Sequence, residues 1–231
     1  EIIAVSQTYL DRALTVNSRC KNGYSVYLGT ELAYFDRLAE QNRLRNKPQD
    51  EIWIAYIGTL GHSYDISTVI DALKILKDKG IKNIKFIVMG DGPLKSKFEN
   101  YANECGIYAE FTGRLDYGKM VGILKKCDIA VNPIKAGSAG SIINKVGDYA
   151  AAGLPVLNTQ ESEEYRKILE KYKAGLNCKN QDPVDLARKL LLLYKDKNFR
   201  KYMGNNSYKL AEYKFDRKRT YQDILKLFNQ S

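Results

Sequence analysis

Apolar residues along this chain change their period at regular intervals. "IWIAYI" (52–57) is a continuous apolar run that ends at Gly58, the pattern of a strand buried on both faces of a parallel sheet. Directly after it, apolar residues at 66, 69, 70, 73 and 76 return every three or four positions and predict a helix over 66–79. The alternation then repeats. "IKFIVMG" (84–90), "YAEFTG" (108–113), "DIAVNP" (128–133) and "PVLN" (155–158) read as strands. Helical patterns separate them: one from Pro93, one over 117–126, and one inside "AGSAGSIINKVGDYAAAGLPVLN" (136–158) that Gly-Leu-Pro-Val closes. Helical patterns then fill 161–172, 183–195, 198–213 and 217–228, with a short strand "AGLN" between the first two.

Strand, helix, strand at this spacing predicts the α/β class: a Rossmann-like doubly wound parallel sheet with extra C-terminal helices. Ligands of such sheets sit outside the carboxyl ends of the strands, so the loops 58–65, 90–93, 113–116 and 133–141 are the places to look for a site. The expected units are a sheet domain over 51–213 and a closing helix over 214–231. Residues 1–50 read as a separate piece: strand, helix over Gln7 to Arg19, strand over 24–29, then the polar linker "EQNRLRNKPQDE". The chain opens in mid-strand with "EIIAVS", and the expectation is a fragment of a longer protein.

Composition narrows the partners. With 44% hydrophobic and 28% charged residues the chain is able to bury an ordinary core, and no run nears the roughly 20 apolar residues of a membrane span. A net charge of +10 favours an anionic partner. The basic residues are spread along the helices, which disfavours a nucleic-acid stripe. Phosphorylated ligands and an anionic membrane surface remain, beside the plain reading of solvated helix faces. Cys20, Cys105, Cys127 and Cys178 are far apart and there is one histidine, His62. That spacing suits neither zinc nor redox chemistry, so no metal or cofactor is expected, and reduced, mostly buried thiols in the cytoplasm are.

Four stretches can carry chemistry. In "GTLGHSYD" (58–65), Gly58 and Gly61 let backbone approach a ligand, and His62 and Ser63 bring polar side chains. This is not the three-glycine dinucleotide fingerprint, and NAD binding is disfavoured. "MGDGP" (89–93) is a tight turn with Pro93 at a first helical position, and "FTGRLD" (111–116) places Arg114 just past a strand end, where it could meet a phosphate. A plain turn and a surface Arg explain these two equally well. The strongest signal is the helix start at Gly140, Ser141, Ile142, Ile143 and Asn144. Its free backbone N–H groups and helix dipole suit an anion, with Ser141 as N-cap. Lys145 there opposes the dipole unless an anion occupies the end. Asp148, one turn on among apolar neighbours, needs a partner, and ribose hydroxyls would serve. The bland alternative is a Lys145–Asp148 pair on a solvated face.

In order, "YIGTLGHSYDISTVIDAL", "FIVMGDGP", "FTGRL", "DIAVNP" and "NKVGDYAAAGLPV" resemble the C-terminal domain of GT-B glycosyltransferases of family 4, over roughly 52–228. "IIAVSQTYLD…YSVYLGTELAYF" is similar to the end of that family's N-terminal acceptor domain and its linker, and "FDRKRTYQDILKLF" to its closing helix. The resemblance implies a nucleotide-sugar donor, UDP rather than GDP, held without metal for transfer to a glycan or lipid-linked acceptor at the cytoplasmic membrane face. It puts the family's ribose-contacting acid at Asp148, its sugar-contacting acid at Gly140, and its usual Arg and Lys of the first loop at Thr59 and Tyr64. Lys145 and His62 are the expected catalytic replacements, and the chain alone is expected to be inactive. A nucleotide-binding module without transfer and a UDP-sugar epimerase are the rival readings.

Overall fold

In this computed structural model the described residues are 1–43, 47–138 and 142–228, and of 223 and 226–228 only the backbone is described. The chain begins with a small parallel unit: β1 (Ile2–Ala4), α1 (Gln7–Val16) and β2 (Gly23–Ser25), the two strands paired. α2 (Leu32–Gln41) follows, a helix the sequence pattern did not predict. It is not part of a free linker, because Phe35 is fully buried and Leu32 nearly so, packed with residues of the main sheet.

The main sheet contains β3 (Ile52–Ile57), β4 (Ile84–Met89), β5 (Ala109–Gly113), β6 (Ile129–Asn132), β7 (Val156–Asn158) and β8 (Gly175–Asn177). All its neighbours are parallel, in the order β5-β4-β3-β6-β7-β8. That order reverses between β3 and β6, the switch point where doubly wound sheets open a crevice. Around the sheet lie α3 (Ile66–Asp78), α4 (Lys95–Glu104), α5 (Tyr117–Leu124), α6 (Lys145–Ala151), α7 (Glu163–Tyr172), α8 (Pro183–Lys195) and α9 (Lys197–Leu210). A π-turn (Ala211–Phe215) and α10 (Arg217–Phe228) close the chain.

Alternation along the strands divides the core into two layers. Trp53, Ala55 and Ile57 face one layer, with Val121 of α5, Tyr149 of α6 and Phe215 of the π-turn; Ile54 and Tyr56 face the other, with Ile70 of α3, Phe98 of α4 and Leu190 of α8. The central strands are apolar on both faces because both faces are covered.

Several boundaries differ from the sequence expectation. α1 stops at Val16 rather than Arg19, where Asn17 takes the cap position. α4 starts at Lys95 with Leu94 at its cap, so Pro93 precedes the helix instead of occupying its first position. The helix expected over 198–213 ends at Leu210 and loosens into the π-turn. Of the four cysteines, all free, Cys127 and Cys178 are buried and Cys20 and Cys105 are half-exposed.

β6, β7 and β8 each end in asparagine, and the three are in register. Asn132 donates to Asn158 at 2.8 Å, and Asn158 donates to Asn177 at 3.0 Å. A row of side-chain amides therefore lines the carboxyl end of this half of the sheet, although the buried Asn132 Oδ1 accepts no hydrogen bond among the described residues.

Contact between the first unit and the sheet domain passes through Glu164 of α7. Its carboxylate accepts the N–H of Gln7 at 2.9 Å, the N–H and hydroxyl of Thr8 at 3.2 and 3.1 Å, and the Tyr27 hydroxyl at 2.8 Å. Among the described residues no helix is long and apolar enough to cross a membrane.

Candidate functional site

The carboxyl ends of β3, β4 and β5 open onto a cleft of about 440 Å³, walled by the first turn of α6. Its floor is backbone. The loops after β3 and β4 touch back to back: a Cβ on Gly90 would stand 1.8 Å from the Gly58 carbonyl oxygen, so no side chain fits between them. Gly58 itself has φ of +130°, and a Cβ there would stand 2.9 Å from Lys145 Nζ.

Lys145 is the first residue of α6 and its side chain runs inward. It is only 9% exposed, and among the described residues its ammonium has no hydrogen-bond partner. The Tyr56 and Tyr64 rings stand against it, with centroids 4.1 and 4.0 Å from Nζ. Tyr56 is fixed in turn by donating to the Thr59 carbonyl at 2.7 Å. Two aromatic faces partly compensate a desolvated cation, and the residue itself lines the cleft. Burial alone drives the Lys145 amine well below its ordinary proton affinity. An anion placed beside it would restore that affinity, since an opposite charge favours the ionised form.

Asp148 lies three positions on and shares the cleft with Lys145, but no ion pair joins them: the solvated Lys145–Asp148 pair is not what folds. The carboxylate instead accepts the Thr30 hydroxyl at 2.7 Å and the Tyr117 hydroxyl at 2.8 Å. Burial raises its proton affinity, and the two hydroxyls together with the charge of Arg217 pull it back, the net effect being upward.

What aims α6 at the cleft is the fully buried Tyr149, a residue the sequence reading passed over. Its hydroxyl accepts the Ile57 N–H at 2.9 Å and donates to the Val131 carbonyl at 3.1 Å. The helix is thereby tied to β3 and β6 on either side of the switch point.

Gly58, Arg114, Lys145 and Asp148 therefore converge, Arg114 as an exposed cation on the rim. Gly61 and His62 lie on the same loop as Gly58, but His62 is exposed and does not line the cleft. Ile142 packs into the core, Ile143 is half-buried, and exposed Asn144 faces an adjoining groove. Gly140 and Ser141 lie outside the described residues. The expected helix start needs correcting: α6 begins at Lys145, and the cap position falls on Asn144, with no side-chain cap bond, rather than on Ser141. A helix of seven residues carries little dipole, so the case for an anion rests on the Lys145 side chain. Thr59 and Tyr64, which stand where the resemblance expects basic residues, do different work: the Thr59 carbonyl holds Tyr56, and Tyr64 shields Lys145.

Comparison with known proteins agrees with this arrangement. The family described as "Glycosyl transferases group 1" matches residues 39–210. An uncharacterized glycosyltransferase of Methanocaldococcus jannaschii is 25% identical over 237 residues, covering 99% of this chain and 58% of its own. A Campylobacter jejuni alpha-1,4-N-acetyl-D-galactosaminyltransferase, whose name gives an undecaprenol-diphosphate-linked glycan, is 24% identical over 200 residues, covering 79% of this chain and 53% of its own. This chain spans about half the length of these curated relatives. Among solved structures, Anabaena HepE in complex with UDP and glucose superposes with a TM-score of 0.77 at 15% identity, over 99% of this chain and 62% of that one. The parallel six-stranded sheet is thus the Rossmann-like half of a GT-B glycosyltransferase fold.

Proposed function

The chain belongs to the glycosyl transferases group 1 family, and from that membership we propose that its cleft holds a nucleoside-diphosphate sugar, UDP-linked rather than GDP-linked. The observation that carries this reading is Lys145: a buried ammonium without a hydrogen-bond partner among the described residues, between two tyrosine rings, on a residue that lines an open cleft. A buried cation without a counter-charge is costly, and a diphosphate supplies the counter-charge. Asp148, on the same wall, accepts hydrogen bonds from the ribose hydroxyls. Support also comes from a structural neighbour that was solved with UDP and glucose.

In transfer, an acceptor hydroxyl oxygen bonds to the anomeric carbon as the bond from that carbon to the diphosphate breaks; negative charge grows on the leaving phosphate, which takes up the hydroxyl proton. Lys145 is placed to stabilise that charge with little screening, with Arg114 as a second cation at the rim, so the site needs no metal ion for this step. His62, first expected beside the phosphate, stays outside this scheme. The acceptor is a glycan or lipid-linked saccharide, as the name of the Campylobacter relative suggests, and it is held by an N-terminal domain of the whole enzyme that closes over the donor. The assignment to family 4, with this chain as the C-terminal, donor-binding part, follows the resemblance of its ordered motifs. The basic surface suits a place at the cytoplasmic membrane face. Gly140, where the family pattern has an acid, favours one rival: nucleotide binding without transfer.

Titration calorimetry of the chain with UDP, GDP, UDP-sugars and NAD tests the reading. Binding of uridine nucleotides in preference to NAD is expected. Binding of NAD with none of a nucleoside diphosphate would sink it.

A further inference from the structure

Both hydrogen bonds to Asp148 fall on one oxygen, Oδ1. Oδ2 accepts none among the described residues, while the residue borders both the 440 Å³ cleft and a neighbouring groove of about 480 Å³. A carboxylate that takes two hydroxyls from different parts of the chain on one oxygen is constrained in orientation, while its other oxygen keeps its accepting lone pairs.

The two donors come from distant parts of the chain. Tyr117 opens α5, stacked against Tyr34 with ring centroids 6.3 Å apart. Thr30 belongs to a strap, Gly29–Thr30, that leads from β2 into α2, 118 residues before Asp148. That strap is clipped to the end of the chain: the Thr30 N–H donates to the Phe215 carbonyl at 2.7 Å, the Arg217 N–H donates to the Thr30 carbonyl at 3.1 Å, and Arg217 Nε donates to the Gly29 carbonyl at 3.1 Å.

The strap also lies unusually close to α6. A Cβ on Gly147 would stand 3.3 Å from both Gly29 Cα and Thr30 Oγ1. Gly29, at φ +53°, has no room for one either, since it would meet the Phe215 carbonyl oxygen at 1.9 Å. Two glycines face each other where the strap crosses the helix, and this contact puts the Thr30 hydroxyl within reach of Asp148. Plain packing of strap on helix does not require a hydroxyl at 30 or at 117.

We propose that Thr30 and Tyr117 are positioning residues of the nucleotide site, holding Oδ1 of Asp148 so that Oδ2 is turned into the cleft to receive the ribose hydroxyls. This rests on the nucleotide-sugar reading above. The cost of orienting the carboxylate is then met in folding rather than in binding. It also makes ribose recognition depend on the strap, and so on how the first unit and the C-terminal helix sit against the sheet domain.

The test is titration of the wild-type chain, Thr30→Val, Thr30→Ser and Tyr117→Phe with UDP, 2′-deoxy-UDP, uridine and inorganic pyrophosphate. Thr30→Val and Tyr117→Phe should each weaken UDP and uridine about 5-fold, the loss of one hydrogen bond. Both should shrink the preference for UDP over 2′-deoxy-UDP and leave pyrophosphate affinity unchanged. Thr30→Ser, which keeps the hydroxyl, should restore wild-type binding. Tyr117 is 38% exposed, so its variant will fold even if Thr30→Val does not. Unchanged UDP affinity and unchanged ribose preference in the folded variants would overturn the inference, as would a loss shared equally by pyrophosphate. Failure of the wild-type chain to bind UDP or uridine would overturn the underlying reading instead.

Discussion

Two charges sit buried on the first turns of two helices, and they are treated in opposite ways. Asp185 of α8, with a side chain 6% exposed, accepts from Lys189 and Arg188 at 2.6 Å each and from the Lys179 N–H at 2.8 Å. Burial pushes its proton affinity up, but those donors outweigh burial and hold the carboxyl below the usual range. Lys145 of α6 is about as deeply placed and has no hydrogen-bond acceptor among the described residues. A charge that serves the fold comes with its partners. One left open within a cleft is set for a partner from outside, and that difference is a better guide to the site than burial or charge alone.

The comparison breaks most visibly if Lys145 is removed. Lys145→Met should weaken UDP binding at least tenfold, because a charge-assisted hydrogen bond contributes roughly 1.5–3 kcal/mol. The same change should raise the Tm, since it removes an uncompensated buried amine. Calorimetry and a melting scan on one sample check both, and a Tm that falls with UDP affinity intact would place Lys145 with Asp185 as a structural charge.

Asp185→Asn is the reverse experiment. It should lower stability by about 1–3 kcal/mol, for hydrogen bonds to a buried charge, and leave UDP affinity as it was. Chemical denaturation beside a UDP titration measures the pair.

A smaller effect follows from pH. The folded protein holds the Lys145 proton less tightly than the unfolded chain does, so up to the ordinary lysine value of 10.5 the unfolded state binds more protons and stability rises with pH. The Tm advantage of Lys145→Met should therefore shrink between pH 7 and pH 10. Bound diphosphate favours the protonated amine, so UDP affinity of the wild type should fall over the same interval. A constant Tm gap would mean that the amine is not desolvated.

The smallest effect belongs to His62→Ala. An exposed side chain that does not line the cleft should change UDP affinity by less than about twofold, within the range of ordinary surface substitutions. A tenfold loss would bring the loop 58–65 into the site.

Most of the sheet was legible because its strands are uninterrupted apolar runs, and Gly58, Arg114, Lys145 and Asp148 were legible because each sits at a strand end or helix start. The residues that complete the site were not. Tyr56 reads as strand core and Tyr64 as loop, and only folding puts both rings on Lys145. Thr30 reaches Asp148 from an apparently unrelated segment, as Tyr149 reaches β3 and β6, and no local period encodes such contacts. α2 escaped because its apolar stripe of Leu32, Phe35 and Leu38 is short and runs straight into a polar stretch. Ser141 as helix cap was a reasonable local reading, but the backbone delays the helix to Lys145.

The glycine-to-glycine contact under the cleft also bears on how such a protein diverges. With Gly58 and Gly90 pressed together, the floor offers inheritance little to vary: a side chain at 90 collides with the Gly58 main chain, and one at 58, at φ +130°, crowds the Lys145 ammonium. Change is channelled to the walls, where Thr59, Asp91 and Arg114 line the space. A library that randomises those three wall positions and leaves 58 and 90 alone would explore new ligands on an unaltered foundation.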